Sequence, residues 1–246
     1  MQSTNEWFTT WFSSPYYPIL YNKRDESEAN GFVSLLFSHL KLSEKDKILD
    51  LACGRGRHAR AFHTLGAEVY GLDISDESIL EAKKYASERL HFEIHDMRQK
   101  FPFSGFSAIF NLFTSFGYFD DLTENKLVIQ NIKNSLKEDG LFIIDYLNVD
   151  YIIPRLIAKE VKTLQGIQFF IHKKVENGFI VKEIEIIDGE KRFHFVEKVQ
   201  AISLRDFKAM FEALGLEITE IWGDYNGNGY VSNSSNRLII FAKNNK

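Results

Sequence analysis

The chain has 246 residues, 44% apolar and 26% charged, with only 4 Pro and 15 Gly, which excludes disordered, collagenous and fibrous classes and leaves length for one large core or a core with an insertion. Its 30 basic and 34 acidic side chains leave a net charge of −4, so bulk charge argues against a nucleic-acid partner. A single cysteine, Cys53, excludes an internal disulfide and a multi-cysteine zinc site, and it suits a reducing compartment.

No uninterrupted apolar run of about 18 residues is present to suggest a membrane helix. The start, Met1-Gln2-Ser3-Thr4-Asn5-Glu6-Trp7, lacks the basic and apolar regions of a secretory signal. The expected location is the cytoplasm.

In chain order, residues 1–30 are dense in aromatic side chains: Trp7, Phe8, Trp11, Phe12, Tyr16, Tyr17 and Tyr21. Such a segment either packs on the body or closes as a lid over a site. Residues 31–40 carry apolar side chains at helical spacing, and 47–52 read as a short buried strand. A glycine-containing turn follows, then a helix to residue 65 stopped by Gly66, and a strand over 68–73. Ser75 or Asp76 caps a helix expected to reach residue 89. Strands are expected over 91–95 and 106–113, then a helix over 122–136 leading through Asp139-Gly140 into a strand over 141–147. This alternation predicts a parallel sheet with right-handed crossovers and helices on both faces.

Beyond that the period changes to two. Residues 167–175, 179–187 and 192–199 alternate and are separated by Glu176-Asn177-Gly178 and Asp188-Gly189-Glu190, both strong hairpin turns. They predict a small antiparallel β insertion after the fifth strand. A helix over 203–214 and strands over 216–222 and 237–243 close the chain, around a polar, glycine-rich loop at 223–236 of the kind that carries function. The expected organisation is a lid segment at 1–30, an α/β core at 31–147 and 203–246, and an inserted subdomain at 148–202.

The sharpest local signal is Ile48-Leu-Asp-Leu-Ala-Cys-Gly-Arg-Gly-Arg-His-Ala59. Gly54 and Gly56 sit at a strand-to-helix turn, where missing side chains admit a ligand to the backbone. Asp73 ends the next strand, placed to accept hydrogen bonds from a ribose diol. Gly54-x-Gly56-x-x-Ala59 also fits the loose dinucleotide fingerprint, and an NAD(P)-linked oxidoreductase is one reading. Against it, a pyrophosphate at this turn meets the Asp50 carboxylate, whereas the cationic amino group of an amino-acid tail is attracted by it. The next strand leads into His95-Asp96-Met97-Arg98, where Asp96 is placed to accept an exocyclic adenine amine and the Met97 amide to donate to the ring. Ammonium, ribose and adenine in a row describe S-adenosylmethionine.

Here the sequence resembles the class I S-adenosylmethionine-dependent methyltransferases. Asp50 to Gly56 is similar to their first motif, Gly71-Leu-Asp73-Ile-Ser to the second, His95-Asp96-Met97 to the third, and Leu136-Lys-Glu-Asp-Gly140-Leu-Phe to the approach to their fifth strand, with Asp139 where glycine is common. The resemblance covers about residues 31–147 and 203–244. It implies a Rossmann-like seven-stranded sheet with helices on both faces and a terminal antiparallel hairpin. It further implies cofactor contacts at Asp50, Ala52, Cys53, Gly54, Gly56, Asp73, Ile74, Asp96 and Met97. An insertion after the fifth strand is similar to that of enzymes acting on small molecules, so a small-molecule acceptor and N- or O-methylation are expected.

The fourth strand ends in Asn111-Leu-Phe113-Thr-Ser-Phe116-Gly117-Tyr118. Asn111 and Phe113 are candidates for the methyl-donor pocket, and Tyr16, Tyr17, Phe116 and Tyr118 for the acceptor. Tyr21 and Arg24 are candidates to clamp the cofactor carboxylate. His58, His63, His172 and His194 offer no positioned general base, which keeps a non-catalytic S-adenosylmethionine-binding protein as a further alternative.

Overall fold

The structure, a computed structural model, describes residues 6–21 and 26–244. Two short helices, α1 (Trp7–Phe12) and α2 (Tyr16–Leu20), precede a longer one, α3 (Glu26–His39). Strand and helix then alternate through β1 (Lys47–Leu51), α4 (Arg57–Thr64), β2 (Glu68–Asp73), α5 (Asp76–Ala82), β3 (Leu90–Ile94), β4 (Phe106–Asn111), α6 (Leu122–Ser135) and β5 (Leu136–Leu147). After a single turn, α7 (Val149–Ile152), come β6 (Lys159–Leu164), β7 (Ile167–Glu176), β8 (Phe179–Asp188) and β9 (Lys191–Gln200). The chain closes with α8 (Leu204–Leu214), β10 (Leu216–Trp222) and β11 (Arg237–Asn244).

Seven strands form one sheet in the order β10-β11-β5-β4-β1-β2-β3. Strands β1 to β5 run parallel, and β11 lies antiparallel between β5 and β10. This is the expected Rossmann-like sheet with its terminal hairpin. Because β1 pairs with both β2 and β4, connections diverge at its carboxyl end and open a crevice there. Phe207 and Phe211 of α8 join Val128, Ile129 and Ile132 of α6 in the core on one face. Phe32, Val33 and Leu36 of α3 and Phe62 of α4 fill the other, together with Ile79 of α5.

Strand β5 begins at Leu136 and helix α3 at Glu26, each five residues before expectation, and two further boundaries differ for plain physical reasons. Helix α5 ends at Ala82 and a 3-10 turn carries the chain only to Tyr85, because Ala86 turns extended and Ser87 bridges Leu90 to reverse the chain into β3. Strand β4 stops at Asn111 because Phe113 and Thr114 take left-handed backbone angles, φ 60° and 62°.

The insertion is a four-stranded antiparallel sheet, β6-β7-β8-β9, one strand more than its alternation predicted. The additional strand, β6, is an edge rich in lysine and glutamate with exposed positions, so it carries little apolar signal. The two predicted hairpin turns form, with Asn177, Gly178 and Gly189 at positive φ.

Its inner face packs on α1 and α2. Trp11 is fully buried against Phe169, Ile184 and Ile186, and Tyr16 donates to Asp188 Oδ2 at 3.0 Å. The same helix α1 turns Trp7, Phe8 and Phe12 toward the sheet edge. Its two faces thus divide between packing and the wall of a cavity.

Gln200, the last residue of β9, fastens the insertion to the core. Its amide donates to Gly117 O and its side chain to Phe119 O, both at 2.8 Å, while its carbonyl accepts from Tyr146 Oη at 2.6 Å. A Cβ on Gly117 would lie 2.6 Å from that hydroxyl, and its φ is 76°, so glycine is required there.

Candidate functional site

At the carboxyl edge of β1, β2 and β4, roofed by α1, α2 and β9, lies a cavity of about 540 Å³. That volume suits a cofactor or drug-sized ligand. Asp50, near the end of β1, is 1% exposed, and its Oδ2 accepts from the Ala59 amide in the first turn of α4 at 3.0 Å. Burial, opposed by that hydrogen bond, pushes its carboxyl up to about 7, helped by the nearby Asp73 charge and resisted by Arg57. A cationic ligand group beside it would restore the anion.

Asp73 ends β2. Its Oδ2 accepts from the Gly54 amide and its Oδ1 from the Ser75 amide, each at 2.8 Å. Burial raises its pKa despite these bonds. Gly54 has φ 54°, and a Cβ there would meet nothing within 4 Å, so the turn presents bare backbone to open space. The conformation, rather than crowding, demands glycine at this position.

Asp96 follows β3. Burial raises its carboxyl, but the hydrogen bonds from the Arg98 side chain and backbone win and hold it below the ordinary range. Ile74, Met97, Leu72 and Phe119 supply apolar wall beside it.

Of the expected cofactor residues, Asp50, Ala52, Cys53, Gly54, Asp73, Ile74, Asp96, Met97, Phe113 and Tyr21 line this one cavity, as do Tyr17 and Tyr118 of the expected acceptor residues. Cys53 is buried, and burial together with Asp50 and Asp73 raises its thiol well above its ordinary value, so it stays a neutral wall.

Four expected residues sit elsewhere. Gly56 caps α4 at φ 77°, where a Cβ would strike the Phe92 ring at 2.6 Å, so its bareness serves packing. Asn111 is fully buried and its amide ties Leu51 O to Ser115 O, both at 3.1 Å, bracing the two loops. Phe116 packs on Phe207 in the core, and Tyr16 faces the inserted sheet beside Phe193. Arg24 lies outside the described residues.

The structure also brings in residues that the motifs did not mark. Asp145, fully buried on β5, accepts from the Phe113 amide at 2.8 Å, Tyr225 Oη at 3.0 Å and Arg237 Nε at 2.7 Å. Arg237 lines the cavity and donates to Thr114 Oγ1 at 2.9 Å. The left-handed Phe113–Thr114 turn is thereby held from both sides. Phe113 is sandwiched between His58 at 5.0 Å and Tyr225 at 5.2 Å, which gives the 223–236 loop its task.

On the insertion side, Glu197 reaches the cavity wall. Its Oε1 accepts from Trp11 Nε1 at 2.6 Å and Tyr21 Oη at 2.5 Å, and its Oε2 pairs with Lys182 at 3.2 Å. Trp7, Phe8, Phe12, Tyr17 and Tyr118 complete an aromatic chamber around this end.

The arrangement divides the cavity. One end has three carboxylates strung along the sheet edge and fits a ligand with ammonium, diol and exocyclic amine groups. The other end is aromatic and suited to shielding a ligand from water.

A family profile described as a methyltransferase domain matches residues 42–200. A dTDP-3-amino-3,4,6-trideoxy-alpha-D-glucopyranose N,N-dimethyltransferase of Streptomyces venezuelae is 22% identical over 213 residues, covering 82% of this chain and 88% of its own length. Among solved structures, a S-adenosylmethionine-dependent methyltransferase from Clostridium acetobutylicum matches with a TM-score of 0.79 at 22% identity, over 93% of this chain and 95% of that one. An amino pentose methyltransferase from Micromonospora echinaspora, solved with S-adenosylmethionine bound, matches with a TM-score of 0.71 at 18% identity, over 94% and 97%. These likenesses speak for the fold.

Proposed function

The chain belongs to the methyltransferase-domain family, and from that premise we propose that it binds S-adenosylmethionine and transfers its methyl group directly to a small-molecule amine. Membership in that family sets aside the oxidoreductase reading. The observation that carries the proposal is the row Asp50, Asp73 and Asp96 along one cavity edge, ending at an aromatic chamber. Asp50 would face the amino-acid ammonium, Asp73 the ribose hydroxyls and Asp96 the adenine amine, with the open Gly54 turn beneath. When bound, the cofactor supplies a methyl group already activated by its sulfonium.

The protein's own part is alignment and exclusion of water. The Phe113–Thr114 turn, held by Asp145 and Arg237, forms part of the cavity wall. Trp7, Phe12, Tyr17 and Tyr118 would enclose the acceptor. An amine is favoured over a hydroxyl because a neutral amine attacks with its own lone pair before losing a proton, because aromatic faces suit the cationic ammonium that methylation leaves, and because two of the relatives described above act on amino sugars by name. Among the described residues, no helix is long and apolar enough to cross a membrane.

The test is twofold. S-adenosylhomocysteine should raise the melting temperature, by about 2.7 kcal/mol of stabilisation at 100 times its Kd, while NAD leaves it unchanged. Labelled methyl groups should then pass to amino sugars and not to their hydroxyl counterparts. A shift with NAD alone would reverse the cofactor assignment, and labelling of the hydroxyl compounds would reverse the acceptor.

A further inference from the structure

Arg98 stands at a junction that the cofactor row does not explain. Nε donates to both oxygens of Asp96 at 3.0 Å, and Nη2 to Asp96 Oδ2 at 2.6 Å. Nη1 and Nη2 also make a two-pronged pair with Glu6, to Oε1 at 2.7 Å and Oε2 at 2.8 Å. Nη1 further donates to Glu124 Oε1, in the first turn of α6, at 2.8 Å. The guanidinium lies 4.7 Å from the centre of the Phe119 ring, which itself lines the cavity. Every nitrogen of the fork is thus committed, to carboxylates from three separate stretches of chain.

Those three stretches have distinct tasks. Asp96 belongs to the cofactor end of the cavity. Glu6 immediately precedes α1, whose Trp7, Phe8 and Phe12 line the acceptor end. Glu124 belongs to the core. The Arg98 side chain is 20% exposed and that of Glu6 26%, so the fork is largely shielded and its charge-assisted bonds exceed those of an exposed pair. A lysine could not replace it, since one ammonium cannot hold both Asp96 and Glu6 in parallel pairs.

We propose that Arg98 is a positioning residue that couples cofactor binding to the docking of the aromatic N-terminal segment. The inference rests on the S-adenosylmethionine reading of the cavity. A ligand amine on Asp96 fixes that carboxylate, which fixes the guanidinium, which presents its remaining prongs to Glu6. The segment from Glu6 to Tyr21 is then held more firmly over the acceptor chamber when the cofactor end is loaded, which favours binding of the cofactor before the acceptor.

Coupling of this kind is reciprocal. S-adenosylhomocysteine should slow amide hydrogen exchange across residues 7–20 of the wild-type protein by a factor within about 5–150, the usual range for two coupled sites. Glu6→Gln keeps one acceptor oxygen but loses the charged, two-pronged pair. It should weaken S-adenosylhomocysteine binding by a similar factor and abolish the ligand's effect on exchange. Arg98→Lys should do the same and weaken the ligand further, because it also releases Asp96.

S-adenosylhomocysteine that binds the wild type without slowing exchange in 7–20 overturns the coupling and leaves the cofactor reading standing. A Glu6→Gln protein that keeps both the affinity and the protection overturns it equally. Failure of S-adenosylhomocysteine to bind the wild type at all removes the cofactor reading, and the coupling with it. The wild-type arm needs no variant, so a destabilised substitution does not shelter the proposal.

Discussion

The Gly54 amide lies 2.8 Å from Oδ2 of Asp73, so the carboxylate that faces the cofactor end also fixes the turn beside it. Each Asp73 oxygen accepts one backbone N–H and keeps a further lone pair, already oriented, for a hydroxyl. Asp73→Ala should therefore weaken S-adenosylhomocysteine by about 2–3 kcal/mol, the value of hydrogen bonds to a charged group. It should also lower the melting temperature, since two amides lose their acceptor. Calorimetry that returns an unchanged affinity would remove Asp73 from the site.

The Asp50 carboxyl, pushed up to about 7 by burial above all, gives a pH dependence with a defined sign. Its ordinary value is 3.8, so between these two values the folded protein holds a proton that the unfolded chain has released. That contribution to stability is complete below the lower value and is lost as pH rises through the higher. Cofactor binding runs the other way, because an ammonium selects the anion. S-adenosylhomocysteine affinity should climb with pH by up to about tenfold per unit and level off above about 7. Asp50→Asn should flatten the curve, and a wild-type affinity independent of pH between about 5 and 7 would contradict the role given to Asp50.

Helix α1 offers a comparison within one turn of chain. Trp11→Ala removes a fully buried ring and its bond to Glu197, and should destabilise the fold by about 3–5 kcal/mol. Phe12→Leu, at the cavity wall, should cost under about 1.5 kcal/mol while slowing methyl transfer. Urea denaturation and a labelled-methyl assay separate the two. Equal losses of stability would mean that this helix is packing alone.

Asp145 is fully buried and the Arg237 side chain is 17% exposed, with their closest contact at 2.6 Å. Asp145→Asn leaves a guanidinium without its counter-charge and should cost about 3–5 kcal/mol. Combining it with Arg237→Gln should recover much of that loss, because the stranded charge is gone. A double variant no more stable than the single one would mean that the ion pair is not what holds the Phe113–Thr114 turn.

The core was legible because its signals are local. Strand β1, the glycine turn, β2 and Asp73 follow one another, and each residue's task is set within a few positions of its neighbours. Direction was harder to read than position. Asn111 stands at the end of the proper strand but turns into the protein, and Gly56 is bare to clear Phe92 rather than a ligand. Tyr16 and Tyr17 are adjacent, yet successive helical side chains diverge, so one meets the inserted sheet and the other the cavity. Asp145, Glu197 and Arg237 carried no motif, because their roles exist only once β5, β9 and β11 converge at the same edge. Edge strand β6 carries no such signal because Lys159, Glu160 and Lys162 leave too little apolar contrast.

The attachment of the inserted sheet bears on how such a chain can diversify. The insertion departs where β5 ends at Leu147 and is moored on return by Gln200 to Gly117, Phe119 and Tyr146. The β7–β8 turn supports that mooring, with Gly178 O accepting from the Ala201 amide at 2.7 Å, whereas the β8–β9 turn and the outer edge β6 make no part of it. Strands between the two stems can therefore be lengthened, shortened or exchanged while the bonds of Gln200 to Gly117, Phe119, Tyr146 and Asn125, the glycine at 117 and the face packed on Trp11 and Tyr16 are kept. The wall contributed by Glu197 and Val199 would change with them, and the row of aspartates would not. A chain built this way behaves as a cartridge in a fixed housing, in which a new acceptor is a matter of replacing one short stretch of sequence.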